Sequence, residues 1–96
     1  MAKIIWAKSA RNDLKAIFDY IARDSSYYAG RFIDRLTGRV FILTDNIKAG
    51  KIVPEFGNDS LRELIEGDYR IIYYIRTDDN IKVIRIHHSA KILKRL

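Results

Sequence analysis

The chain has 96 residues and carries 18 lysines and arginines against 12 acidic residues, a formal net charge of +6. It contains no cysteine, which excludes disulfides, thiolate metal sites and a cysteine nucleophile, and which suits a reducing cytoplasm. No apolar run is long enough to span a bilayer, and the early charges do not fit a signal peptide. We therefore expect a cytoplasmic protein with no membrane partner, whose basic surface favours a polyanion or an acidic protein.

The first half of the sequence predicts one strand and two helices. Residues 3–6 have the apolar character of a short strand, and Ser9 can cap a helix that runs to about Asp24. Ser25-Ser26 supplies a break and a second cap, after which an apolar stripe at helical spacing continues to about Asp45. Because the connection between them is short, the two helices should form an antiparallel pair.

The second half predicts a loop and three strands. Residues 46–60 hold two glycines and the only proline, and they form the loop. The strand-like runs are 61–66, 69–77 and 80–88, joined by turns at Gly67-Asp68 and Asp78-Asp79, and the end of the chain could add one helical turn. The fold class is therefore α+β: one domain over residues 1–96, strand–helix–helix–three-strand, with a helical hairpin packed on an antiparallel sheet.

Two-residue turns fix the register of this sheet and so divide its side chains between two faces. The predicted pairs are 65–70, 63–72, 61–74, 70–87, 72–85 and 74–83. The face under the helices then carries Leu64, Tyr69, Ile71, Tyr73, Ile75, Ile84 and Ile86. The opposite face carries Leu61, Glu63, Ile65, Arg70, Ile72, Tyr74, Val83, Arg85 and His87.

On the opposite face, Arg70 lies beside His87 and diagonal to Glu63. One interpretation is an ordinary cross-strand ion pair between Glu63 and Arg70, worth at most about 1 kcal/mol when exposed. The apolar residues around it favour a second interpretation, because Ile65, Ile72, Tyr74 and Val83 would be left uncovered without a partner.

Four short motifs follow one another in the second half of the sequence: Val53-Pro54-Glu55, Arg62-Glu63-Leu64, Tyr69-Arg70-Ile71 with Tyr73, and His88-Ser89-Ala90-Lys91. With these motifs the sequence resembles the RelE/ParE family, the toxin halves of bacterial toxin–antitoxin pairs, over nearly its whole length. The resemblance implies the strand–two-helix–three-strand fold read above. It also implies an acidic antitoxin whose C-terminal segment wraps the toxin.

Within this family the resemblance implies two alternative activities: RelE-like members cleave ribosome-bound mRNA, and ParE-like members block DNA gyrase. For mRNA cleavage, Arg70 would stabilise the phosphate, His87 or His88 would serve as acid or base, and Glu63 or Glu55 would be the base.

Several departures favour the gyrase alternative. The two lysines of the RelE strand would fall at Leu61 and Glu63, and the tyrosine near the RelE C-terminus has no equivalent in SAKILKRL. Some relatives instead use a Glu–His–Arg set, so the nuclease stays open as the alternative. The Val-Pro-Glu loop and the His88–Lys91 motif resemble the ParE side, although Lys91 stands where arginine is usual.

For either activity we expect a surface that binds the antitoxin or the target, which is gyrase or a ribosome with its mRNA. Its predicted residues are Arg62, Ile65, Arg70, Ile72, Tyr74, Arg85 and Lys91. Neither a metal nor a cofactor is implied, since adjacent histidines on a strand face opposite ways and no phosphate-binding glycine loop is present.

Overall fold

The protein, in a computed structural model that describes residues 1–94 and Leu96, is built from two helices and a five-stranded sheet. The elements are β1 (Lys3–Trp6), α1 (Lys8–Ala22), α2 (Ser26–Phe41), a 3-10 turn (Ile42–Thr44), β2 (Lys51–Ile52), β3 (Leu61–Glu66), β4 (Tyr69–Thr77) and β5 (Asn80–His88). No helix in this part of the chain is both long and apolar enough to cross a membrane.

The predicted α+β architecture is confirmed, and the sheet has two further features. Its strand order is β1-β5-β4-β3-β2, with β1 parallel to β5 and the other pairs antiparallel. β2 lies inside the segment 46–60, which the sequence predicts as a loop, and its two residues pair with Glu63 and Arg62. These two residues extend the sheet by one short edge strand.

The helix boundaries differ in part from the prediction. Ser25 caps α2 as expected, since its hydroxyl accepts a hydrogen bond from Tyr28 N at 3.2 Å. Ser9 does not cap α1: the helix begins at Lys8 with Ala7 at the cap position, and the Ser9 hydroxyl donates to the carbonyl of Ile84 at 2.6 Å. The second helix ends at Phe41 rather than near Asp45. The tail forms no helical turn among residues 89–94 and 96, and Arg95 lies outside the described residues.

The predicted register holds between β3 and β4, but between β4 and β5 it shifts at two points, between Ile72 and Tyr73 and between Ile75 and Thr77. Arg70 pairs with His87 and Ile72 with Arg85, but Tyr73 then pairs with Val83, so that Ile84 is an extra residue on β5. The predicted pair 74–83 is therefore wrong, and Tyr74 pairs with Lys82. Such a β-bulge reverses the faces of the residues beyond it.

The reversal has a direct effect on packing. Val83, predicted on the face away from the helices, is buried in the core beneath them, and Ile84, predicted in that core, packs on the opposite side. The helix-side core is formed by Ala10, Ile17, Leu36, Val40, Leu43, Leu64, Ile71, Tyr73, Ile81, Val83 and Ile86. A second cluster, the tail-side core, lies on the other face and is formed by Val53, Leu61, Ile72 and Leu93.

Candidate functional site

Three charged side chains form a partly buried cluster on the tail-side face, and we call it the Arg70 cluster: Glu55, Glu63 and Arg70. Nε of Arg70 donates to Oε1 of Glu63 at 2.7 Å, while Nη1 and Nη2 donate to the two oxygens of Glu55, each at 2.7 Å. β3 and β4 position Glu63 and Arg70, and the loop after β2 brings Glu55 across them. Arg70 is only 9% exposed and Glu63 is buried. The cluster is thus more than the exposed cross-strand pair that the sequence allows.

The electrostatics of the cluster follow from these hydrogen bonds. Donation from Arg70 lowers the pKa of Glu55 from 4.5 to about 2, against the opposing effect of burial. The same bonds from Glu55, followed by those from Glu63, raise the pKa of Arg70. Lys51 adds a further positive charge, with Nζ 3.5 Å from Oε2 of Glu63. Two carboxylates and two cations therefore compensate one another, and the guanidinium keeps its charge at all physiological pH values.

The two histidines lie on opposite sides of the sheet, as adjacent strand residues must. His87 is the cross-strand neighbour of Arg70, and its Nε2 lies 2.9 Å from the carbonyl oxygen of Lys91. His88 faces α1, where its ring meets the ring of Tyr69 edge-on at 5.1 Å and its Nδ1 accepts a hydrogen bond from Ala90 N. His87 is thus the histidine that accompanies the Arg70 cluster.

The expectation that an apolar face stays uncovered is wrong for Ile72 and Val83. Val83 lies in the helix-side core, and Ile72 is fully buried because Val53 from the loop and Leu93 from the tail pack over it. Ile65 and Tyr74 do remain at the surface, 46% and 40% exposed. The chain therefore covers the centre of this face itself and leaves its margins open.

The remaining predicted binding residues have different environments. The Arg62 guanidinium is held by Asp59, through the main-chain carbonyl and the carboxylate, and by the carbonyl of Gly50 at 3.0 Å. Arg85 donates from Nε to Oδ2 of Asp13 at 2.8 Å. Arg62 thus anchors the loop and Arg85 anchors α1. Lys91 is exposed and forms no ion pair with any described residue.

Sequence reasoning missed Asp13. This residue accepts from Arg85 and also from Ile86 N at 2.9 Å, so it binds the edge of β5 beyond the end of β1. A signal was present, because Asp13 lies three residues after Ala10 and four before Ile17, on the apolar stripe of α1. A carboxylate in such a stripe requires a partner in the core it faces.

Among residues 1–94 and 96, no group of three histidine or acidic side chains could hold a metal ion. In the Arg70 cluster, each of the three guanidinium nitrogens already donates to a carboxylate. Such an arrangement orders the loop that carries Glu55 and secures the tail-side face, and it presents little unbonded positive charge to an external phosphate.

The comparisons with known proteins agree on one class. A family model described as the ParE toxin of type II toxin–antitoxin system parDE matches residues 4–93. A protein named Toxin RelE2 from Caulobacter vibrioides is 32% identical over 92 residues, 96% of this chain and all of its own length. A solved structure of a chromosomal ParDE system from P. aeruginosa has a TM-score of 0.75 at 22% identity, covering 92% of this chain and 96% of its own.

The fold and the family match define the chain as the toxin of a type II toxin–antitoxin system. The chain belongs to the ParE toxin family, within the RelE/ParE group that the sequence motifs indicate. Membership implies an antitoxin as its partner.

Proposed function

We propose that this toxin acts on DNA gyrase and does not cleave mRNA. The observation that carries the proposal is the state of Arg70: Glu55 and Glu63 occupy its guanidinium, and the residue is only 9% exposed. The nuclease alternative requires this same side chain to stabilise a phosphate that gains charge in the transition state.

The neighbouring residues support the proposal. Leu61 and Glu63 stand where the RelE strand has lysines, and Glu63 would repel a phosphate at that position. Glu55, with a pKa of about 2, is a weak base, since a general base works best with a pKa near the operating pH. A phosphate on Arg70 would also have to displace two carboxylates that hold it through charge-assisted hydrogen bonds.

One observation favours the second candidate, an mRNA endonuclease. Arg70 and His87 are cross-strand neighbours, with Glu63 bonded to Arg70, so a glutamate, a histidine and an arginine converge on one face. In that case an RNA phosphate would replace Glu55 on the guanidinium.

The deciding experiment measures both activities of the purified toxin. We expect inhibition of gyrase supercoiling and no cleavage in toeprinting assays on translating ribosomes. Arg70→Ala and His87→Ala separate the outcomes further. Cleavage in the ribosomal A site that both substitutions abolish would overturn the proposal and make the Arg70 cluster a catalytic site.

We also propose that Ile65 and Tyr74 contact the antitoxin. Both are large, exposed and on the same face, and an exposed apolar margin of this kind is a common docking surface. Tyr74→Asp should weaken capture of the product of the neighbouring open reading frame by about tenfold or more. Tyr28→Asp is the matched control, because Tyr28 is exposed in the first turn of α2, where an acidic residue suits the helix dipole. Equal capture by the two variants would place the interface elsewhere.

A gyrase-directed toxin works where the chromosome is, so we propose a cytoplasmic location. Induced expression without the antitoxin should arrest bacterial growth, and fractionation of the same cells tests the location. Unimpaired growth despite an intracellular pool of folded toxin would contradict the proposal.

A further inference from the structure

A cleft of about 530 Å³ lies between α1 and the last residues of β5, on the helix side of the sheet. It arises because β1 pairs with β5 only as far as Val83, while β5 continues to His88. α1 covers the edge of β5 with two side chains, Ser9 on the carbonyl of Ile84 and Asp13 on the amide of Ile86. Beyond Ile86 this cover ends and the cleft begins.

The cleft has an apolar and aromatic lining. Ala16, Ile17 and Ile86 line it together with the rings of Tyr20, Tyr69 and His88. Ile17 and Ile86 are buried, whereas Ala16 is exposed and contributes only a methyl group. The size and lining of the cleft suit one large apolar side chain with its neighbours.

The charges at the cleft favour an acidic ligand. Among the described residues, Asp13 is the one acidic side chain that lines it, and it already accepts from Arg85 at 2.8 Å and from Ile86 N at 2.9 Å. Lys91 also lines the cleft, is exposed, and has no ion-pair partner among residues 1–94 and 96. The uncompensated charge at this site is therefore positive.

A main-chain donor at the cleft favours an extended ligand. Ser89 N donates to the carbonyl of Asp68. The main-chain N–H and C=O groups of the β5 residues that alternate with Ser89 therefore point away from β4. His88 N–H is one of these, and β1 does not reach it. The carbonyl of His88 is already bonded to Lys91 N. An extended segment laid along this edge would therefore find one free strand donor.

We propose that the cleft binds an extended acidic segment of the antitoxin, with one apolar side chain against Ala16, a carboxylate on Lys91 and a carbonyl oxygen on His88 N–H. The proposal rests on the family assignment, which makes an antitoxin the partner. It is independent of whether the toxin acts on gyrase, and it adds a second contact region to the Ile65 and Tyr74 margin on the other face.

Two pairs of variants test it, each titrated with the antitoxin encoded by the neighbouring open reading frame. Ala16→Gln and Ala16→Glu fill the cleft equally from an exposed helical position, and the glutamate adds a repelling charge. We expect both to weaken binding, Ala16→Glu by about tenfold more. Lys91→Glu should also weaken binding by about tenfold, whereas Lys48→Glu, the same charge change in the exposed loop before β2, should change it by less than about threefold.

Amide hydrogen exchange supplies a readout at the proposed contact itself. In the wild-type complex, the His88 amide should exchange more slowly than in the free toxin, and the protection should be lost with Ala16→Glu. Unchanged affinity in Ala16→Glu, or a His88 amide that the antitoxin leaves unprotected, would overturn the cleft proposal. Failure of the wild-type toxin to bind the antitoxin would overturn the partner assignment as well.

Discussion

The charge of the nearly buried Arg70 guanidinium is compensated because it donates hydrogen bonds to two carboxylates. The two carboxylates differ in their surroundings: Glu63 is buried on β3, whereas the Glu55 side chain, on the loop, is 37% exposed. Removing one partner of a buried ion pair leaves an uncompensated charge, which costs far more than the pair itself contributes. The two glutamates should therefore have unequal effects on stability.

We expect Glu63→Gln to lower the free energy of unfolding by about 3 kcal/mol, because Arg70 and Lys51 would both lose their buried carboxylate. Glu55→Gln should lower it by no more than about 1 kcal/mol, since solvent can replace its carboxylate. Urea unfolding of the two variants beside the wild type measures both values. Equal losses would contradict the buried role of Glu63.

The low pKa of Glu55 predicts how its contribution depends on pH. The pKa is about 2 in the folded protein against an ordinary 4.5, so the unfolded chain takes up the proton first and the stabilisation declines as pH falls. The difference in unfolding free energy between wild type and Glu55→Gln should be full above about pH 5 and nearly absent near pH 2. Urea titrations across this range test it. A difference that stays constant down to about pH 2.5 would show that Glu55 is not held by Arg70.

The loop between the helices and β3 is held by a close approach of Gly50 to Tyr73 and to the main chain of Glu63. Gly50 N donates to the hydroxyl of Tyr73 at 3.0 Å, and that hydroxyl donates to the carbonyl of Ile47 at 2.7 Å. Arg62 adds a bond to the carbonyl of Gly50. These contacts order the segment that carries Lys51, Val53 and Glu55 over the sheet.

Gly50→Ala should destabilise the protein by about 1–3 kcal/mol, because the added methyl group has no room. Its carbon would lie 2.5 Å from the carbonyl oxygen of Glu63 and 2.8 Å from the hydroxyl of Tyr73. Gly38→Ala is the matched control: nothing lies within 4 Å of the added carbon, and alanine in the last turn of α2 should add no more than about 1 kcal/mol. Thermal unfolding compares the two, and a neutral Gly50→Ala would show that the loop yields.

The C-terminal tail completes a second hydrophobic core on the face of the sheet away from the helices. Leu93 packs with Val53, Leu61 and Ile72 on the face away from the helices, and His87 bonds the carbonyl of Lys91 as the tail turns over the sheet. The sheet is thereby covered at its centre on both faces. This cover, rather than a partner protein, is what buries Ile72.

Leu93→Ala should lower the free energy of unfolding by about 2–4 kcal/mol, because it opens a cavity over Ile72. Ile92→Ala is the control from the adjacent position: Ile92 is 81% exposed and Leu93 only 7%, so the same kind of truncation should have almost no effect. Urea unfolding distinguishes them. Similar values for both variants would mean that the tail does not pack on the sheet.

The amino-acid sequence alone predicts the order of the two helices and of four of the five strands, the two turns, the cap at Ser25 and the pairing of Arg70 with His87. These depend on local properties: apolar residues at helical or alternating spacing, and two-residue turns that set the register. Counting from Asp78-Asp79 reaches the Arg70–His87 pair because the two register shifts between β4 and β5 cancel. Predictions from local signals hold here because the tertiary contacts favour the same local structure.

The two register shifts between β4 and β5, the burial of Ile72 and the bonding of Glu55 to Arg70 depend instead on contacts between distant segments of the chain. A bulge is one unpaired residue whose position depends on how both faces pack, and nothing in the alternation of β5 indicates it. Glu55 lies 15 residues from Arg70 in sequence, and Leu93 lies 21 residues from Ile72. Glu55 is in the loop before β3 and Leu93 is in the tail after β5, and neither segment has the regular spacing of apolar residues that marks a helix or strand. These irregular segments pack on the sheet because their side chains and charges fit its surface. That surface exists only after the sheet has formed, so the packing cannot be predicted from the local sequence.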